Sequence, residues 1–200
     1  MLGQVEPFQQ STQFNCSAAS LHAVLKHWGR DIDESALAQL LHVSPVFGAT
    51  AKRVVKVARG LGYKATQRHF RSLAELKSLT DKDVPVIARV LSFKHPGQHH
   101  FVVVTSVDAV GVTLMDPNVD GNRRWLTHQQ MKERWVPNRL GVVIVPTSTA
   151  FGEVSPSGYV WTWLGAAAAA VVGVVAGWYY RSHLEVVSDH KRSRRGRPPN

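Results

Sequence analysis

Gln10-Ser-Thr-Gln-Phe-Asn15-Cys16-Ser17-Ala-Ala-Ser20 is followed at once by Leu21, Val24, Leu25 and Trp28, apolar residues at helical spacing that end at Gly29, a natural residue for the position just past a helix. The stretch therefore places Cys16 at the mouth of a helix over Ser17 to Trp28. It is the only cysteine in 200 residues, so no internal disulfide can form. That leaves a packed core residue, a ligand or a nucleophile. For a lone cysteine the packed residue is the ordinary outcome, and three features elsewhere shift the reading. The first turn of a helix carries unpaired N–H groups and the positive end of the macrodipole, a setting that favours a thiolate.

Working outward, Asp33 is placed to cap a helix over Glu34 to Leu41 that turns Leu37, Leu40 and Leu41 inward. Thr50 opens a third helix whose Val54, Val55 and Ala58 share a face before Gly60. Ser72-Leu-Ala-Glu75 reads as a capping box for a short helix to Leu79. Strands then take over. Val84 to Leu91 is apolar and β-branched, with Pro85 confining it to a strand start or an edge. His99 to Val107 and Val112 to Met115 flank Asp108-Ala-Val-Gly111 and read as a hairpin. Thr127-His-Gln-Gln130 is a second capping box, for a helix to Trp135, and Leu140 to Val145 is the last strand. Helices first and antiparallel strands second give an α+β domain.

His100 begins the apolar strand that continues Phe101-Val-Val-Val, which fixes an imidazole at the mouth of a sheet, while His99 points to the opposite face. A cysteine hydrolase needs one such group to take the thiol proton and return it to a leaving amine. Asp116 follows the next strand and, across the hairpin, can orient that imidazole. A turn residue before Pro117 is an equally good account of Asp116 alone. Gln10, six residues before Cys16, can offer its amide N–H to an oxyanion, and Gln4, Gln9 and Gln13 compete for that role. His95, His99 and His100 lack the second ligand cluster that a metal site requires, so neither a metal nor a cofactor is expected.

The order of these features resembles the papain-like double-glycine leader peptidases that process bacteriocin precursors, usually as the amino-terminal domain of an ABC exporter. The similarity runs from about Phe8 to Trp135. It includes the Gln10–Cys16 interval, His27-Trp-Gly29, Phe47-Gly-Ala-Thr50, Gly60-Leu-Gly62, Leu73-Ala-Glu-Leu76, Val84-Pro-Val-Ile87, His100-Phe-Val-Val-Val104, Asp116-Pro117 and Gly121-Asn-Arg-Arg-Trp-Leu-Thr127. The resemblance implies a papain-like fold with Cys16 as nucleophile, His100 as general base and acid, Asp116 as orienting residue and Gln10 as oxyanion donor. It also implies a peptide or protein substrate, cut after a Gly-Gly pair in a leader, and an exporter as partner. Ser17 stands where the family commonly has glycine and Asn15 where an acidic residue is frequent. No transporter or ATPase sequence follows. Two other readings share these residues: a non-catalytic peptide-binding module assisting a membrane partner, and an acyltransferase or amidase using the same triad.

Composition changes near residue 146, which divides the chain into a domain over 1–146, a linker over 147–158, an apolar run over 159–180 and a basic tail over 181–200. Tyr159 to Tyr180 holds no charge and spans about 33 Å if helical, the hydrocarbon thickness of a bilayer. Trp161 and Trp163 at one end and Trp178, Tyr179 and Tyr180 at the other suit the headgroup level, so a single-pass C-terminal anchor is expected. Gly165, Ala169, Gly173 and Gly177 stack on one face and would admit a homodimer. Six cations follow the run, against Arg139 alone in the twenty residues before it. That puts the tail inside, yet the first fifteen residues hold no export-signal core, so the side of the domain stays open. The net charge of +10 divides as +6 over 1–158 and +4 over 181–200. The domain's charges are scattered without a basic-aromatic motif, which argues against nucleic acid. The tail suits anionic headgroups.

Overall fold

The computed structural model describes residues 5–95, 97–118, 123–135 and 138–147. All belong to one compact unit, and the elements run α1 (Cys16–His27), α2 (Glu34–Leu40), α3 (Ala51–Gly60), β1 (Tyr63–His69), α4 (Leu73–Thr80), β2 (Val86–Leu91), β3 (His99–Val107), β4 (Gly111–Met115), β5 (Arg123–Thr127), α5 (His128–Arg134) and β6 (Leu140–Pro146). The strands form one six-stranded sheet in the order β1-β6-β2-β3-β4-β5, every neighbouring pair antiparallel. This is the papain-like arrangement of helices plus antiparallel sheet.

Alternation along the central strands divides the apolar residues between two faces. On one, Phe101, Val103 and Met115 pack with Leu21, Val24 and Leu25 of α1, Leu37 of α2 and Val54 of α3. On the other, Val102, Val104 and Leu114 pack with Leu76 of α4 and Met131 of α5. A fully buried leucine contributes about 1.5–3 kcal/mol, so Leu21 and Leu25 alone hold α1 firmly on the sheet. Its far end is closed by Gly29 at φ +80° and by Trp28, whose indole N–H donates to the Ile144 carbonyl at 3.0 Å.

Several boundaries match the expectation: β3 spans the residues anticipated, Asp108 Oδ1 accepts from the Val110 and Gly111 amides in the β3–β4 turn, and both halves of the Thr127–Gln130 capping box are made. Others need correction. Leu40 is half exposed rather than inward, because the buried stripe of α2 runs Glu34, Leu37, Leu41 and Leu40 lies about a quarter turn to its side. Ser72 makes no side-chain cap, and the Glu75 carboxylate that would supply the other half of the box is instead 2.6 Å from the Arg68 guanidinium. Pro85 precedes β2, which lies between β6 and β3, so it marks a strand start and not an edge. β1 and β5 were not anticipated; they are the polar sheet edges, and neither carries the apolar run that announces a strand.

The expected span over 159–180, with its small-residue face at Gly165, Ala169, Gly173 and Gly177, and the basic tail lie outside the described residues. Among the described residues no helix is long and apolar enough to cross a membrane.

Candidate active site

Cys16 is the first residue of α1, at the end where backbone N–H groups lack helical acceptors. The helix is pinned to β3 by Ser20, whose hydroxyl donates to the Phe101 carbonyl at 3.2 Å, one residue beyond His100. That contact brings the thiol of one lobe to the imidazole of the other. Cys16 is half-buried and His100 is buried.

The β3–β4 register decides where Asp116 falls. Val104 stands opposite Leu114 and Val103 opposite Met115, so Asp116 shares a sheet face with Val102 and His100. His100 Nε2 and Asp116 Oδ1 are 2.7 Å apart, and Asp116 is only 1% exposed. Its carboxylate also accepts from the Asn118 amide at 3.0 Å and from Arg124 Nε at 3.2 Å. The Arg124 guanidinium in turn lies 3.9 Å over the Phe93 ring.

Burial disfavours a charged His100, but hydrogen bonds to Asp116 and to Cys16, with the charges behind them, reverse the effect and raise its pKa to about 9. Burial likewise opposes an ionised Asp116, and the hydrogen bond and charge of His100, the Asn118 amide and Arg124 hold its carboxyl below the ordinary value of 3.8. Because Nε2 is committed to Asp116, Nδ1 is the nitrogen left to face the thiol. His99 shifts the opposite way, lowered by desolvation and by Arg89. Only one of the adjacent histidines is therefore poised as an acid at neutral pH.

Gln10 reaches the same place through its backbone: its amide donates to the Pro117 carbonyl at 2.9 Å, one residue past Asp116. Its side-chain Nε2 donates to the Thr12 carbonyl at 2.7 Å, and Oε1 is buried with no hydrogen-bond partner among the described residues. Gln9 and Gln13 are exposed, and Gln4 lies outside the described residues. Gln10 is tied by its backbone amide to the Asp116–Pro117 segment. Ser17, beside Cys16, is wholly buried, and its hydroxyl has no hydrogen-bond partner among the described residues. Asn15 does not cap α1; its amide donates to Ser11 Oγ at 3.0 Å. Among the described residues no group of His, Cys, Asp or Glu is arranged to hold a metal ion.

Two side chains around this site carry no sequence signal of their own. Arg124 is visible only once β5 is paired with β4, where it stands opposite Leu114. Glu34 reads as an ordinary first residue of a helix, yet both its carboxylate oxygens accept from the Ser11 amide, at 3.2 and 3.1 Å.

A cysteine at a helix N-terminus, joined to a buried imidazole–carboxylate pair from an antiparallel sheet, defines the papain-like class of cysteine hydrolase. Within that class the chain belongs to the peptidase C39 family, whose family model matches residues 4–149. Over 138 residues, 69% of this chain and 18% of the relative, it is 26% identical to the pediocin PA-1 transport/processing ATP-binding protein PedD of Pediococcus acidilactici. It is 29% identical over 126 residues, 63% of this chain and 17% of the relative, to the transport/processing ATP-binding protein ComA of Streptococcus pneumoniae. The match thus spans less than a fifth of the length of these curated relatives. Two solved structures share the fold. The peptidase domain of Streptococcus ComA superposes with a TM-score of 0.61 at 22% identity, covering 71% of this chain and 98% of that one. A double-glycine-motif protease from an AMS/PCAT transporter, in complex with its leader peptide, gives 0.56 at 19%, covering 72% and 95%.

Proposed function

We propose that the protein is a cysteine peptidase that cuts a peptide bond after a Gly-Gly pair in a leader, with Cys16 as nucleophile, His100 as acid and base, Asp116 as orienting residue and Gln10 as oxyanion donor. The observation that carries the reading is the 2.7 Å His100–Asp116 contact, on an imidazole whose pKa Asp116 and Cys16 together raise to about 9. The thiolate sulfur attacks the scissile carbonyl carbon, and the oxygen takes up the negative charge. Gln10 Nε2 has a second N–H free of its Thr12 bond, and with the Cys16 backbone N–H it receives that oxygen. As the C–N bond breaks, the proton on His100 passes to the leaving amine. Water then attacks the thioester and gives one proton to His100; the C–S bond breaks, the product leaves as the carboxylic acid and loses its remaining proton to solvent, and the thiolate and imidazolium are restored.

An open groove of about 490 Å³ lined by Asn15, Ala38, Gln39, His42 and Val43 reaches the residue before the nucleophile. Exposed Leu40, Val46 and Phe47 supply apolar surface on the same segment, suited to an unfolded or helical peptide. The Gly-Gly specificity rests on the names of relatives, one of which is described as bound to a leader peptide. Tethering to a membrane by 159–180 is part of the same proposal, supported by the uncharged run, its aromatic ends and the basic tail. An exporter is the partner class that the relatives' transport/processing names support.

The test is mass spectrometry of a synthetic leader-plus-cargo peptide with a central Gly-Gly. Wild-type protein is expected to give two fragments whose masses sum to substrate plus water, and Cys16→Ala none. An adduct on an added amine would point instead to acyl transfer by the same triad. Binding without products in the wild type would support the non-catalytic module.

A further inference from the structure

Gln10 can serve an oxyanion only if the loop that bears it is held still; the chain just before it is fastened to α1 by Glu6, 2.7 Å from Lys26 Nζ, and by Phe8, whose ring lies 4.1 Å from that of His22. The loop's neighbouring amides are anchored on opposite sides. Gln10 N–H donates to the Pro117 carbonyl at 2.9 Å, and Ser11 N–H donates to Glu34 on α2, at 3.2 Å from Oε1 and 3.1 Å from Oε2. Fixing two consecutive amides fixes the peptide plane between them and the dihedrals that aim the Gln10 Cα–Cβ bond. The bonds from Gln10 Nε2 and Asn15 N to the Thr12 carbonyl, and from Asn15 Nδ2 to Ser11 Oγ, are internal to the loop.

Glu34 is an unusual choice for so plain a task. It is 7% exposed, sits on the buried stripe of α2 beside Leu37 and Leu41, and directs both oxygens at one backbone donor. A carboxylate is costly to bury without partners, whereas an apolar residue there would extend the leucine stripe. We propose that Glu34 is the positioning residue of the oxyanion loop, holding Ser11 so that the Gln10 amide meets the developing negative charge. This rests on the cysteine-peptidase reading and adds to it the group that sets the Gln10 geometry.

The experiment measures kcat and KM of the full chain on a fluorogenic Gly-Gly leader peptide for wild type, Gln10→Ala, Glu34→Ala, Glu34→Gln and the double variant Gln10→Ala/Glu34→Ala. An oxyanion donor is worth about 10²–10³ in kcat, so loosening it is expected to lower kcat about 10- to 100-fold in Glu34→Ala with KM within about 3-fold. Glu34→Gln keeps an acceptor for the Ser11 amide and is expected to recover most of that loss. In the Gln10→Ala background, Glu34→Ala is expected to cost less than about 3-fold, because the group it positions is gone. Equal losses in both backgrounds, or a loss confined to KM, would overturn the positioning role, as would wild-type kcat in Glu34→Ala. Should Glu34→Ala fail to fold, Glu34→Gln decides alone: a kcat as low as that of Gln10→Ala overturns the proposal. A Gln10→Ala variant with wild-type kcat would instead remove the oxyanion assignment, and the role of Glu34 with it.

Discussion

Replacing Asp116 by asparagine removes one negative charge while leaving side-chain size and an acceptor oxygen in place, so its consequence for His100 can be worked from the structure. In the wild type, burial opposes protonation of the imidazole, and bonds to Asp116 and Cys16 overcome it to give a pKa of about 9. A hydrogen bond to a charged group is worth about 1.5–3 kcal/mol against about 0.5–1.5 for a neutral one. The difference of about 1.4 kcal/mol moves the His100 titration down by about one unit. The imidazolium protonates the leaving amine, so the alkaline limb of kcat/KM against pH should fall to about 8 or below in Asp116→Asn. Stability follows the same groups with definite signs. A raised His100 stabilises the fold fully below its unfolded value of 6.5 and loses that contribution as pH climbs through about 9. Asp116, held low, stabilises above 3.8 and loses it as pH falls through its folded value. Thermal melts from pH 2 to 10 should therefore show a plateau in the wild type bounded by an acid limb below pH 3.8 and an alkaline limb toward pH 9, with the acid limb lost and the alkaline decline moved to lower pH in the variant. A folded Asp116→Asn protein whose alkaline limb coincides with the wild type's would refute the claim that this carboxylate holds the His100 proton.

Ser17→Ala should stabilise the protein by about 1 kcal/mol, a rise in melting temperature of about 2–4 °C, because it removes a buried hydroxyl that has no partner among the described residues and adds helix propensity. Turnover should be retained, since that side chain is wholly buried; a fall in melting temperature would show that the hydroxyl has a hydrogen-bond role. Thr127→Ala should cost about 1 kcal/mol in urea unfolding by abolishing the reciprocal cap with Gln130, with kcat unchanged. An unchanged denaturation midpoint would mean that α5 is held by Met131 and Trp135 packing alone.

The parts of the fold legible in sequence are those that announce themselves locally. Thr50 and Thr127 cap helices because a short hydroxyl side chain reaches the third amide, and β3 stands out because its apolar run is buried on both faces. The sheet edges were hidden: Tyr63–His69 is mostly polar, and its strand character comes from pairing with β6, a contact between residues nearly eighty positions apart. Leu40 misled for a related reason, since Glu34 occupies the inward place that hydrophobic spacing assigns to an apolar residue. Cys16, His100 and Asp116 draw notice in the sequence because each stands at or near the end of an element, and the structure sets His100 and Asp116 2.7 Å apart. Choosing Gln10 from four glutamines on residues alone was not possible; the Pro117 carbonyl that receives its amide lies more than a hundred residues along the chain. Glu34 carries no local mark because its role exists only in the loop folded against it.

Alkylation of Cys16 by iodoacetamide as a function of pH tests most directly whether this sulfur and the His100 imidazole share a proton. A free thiol, with a pKa of about 8.5, loses reactivity about tenfold for each unit below that value. The account predicts that at pH 6 the wild-type protein is alkylated faster than His100→Ala, which follows the free-thiol slope. A wild-type profile that already follows free cysteine, or one that His100→Ala leaves unchanged, would contradict it.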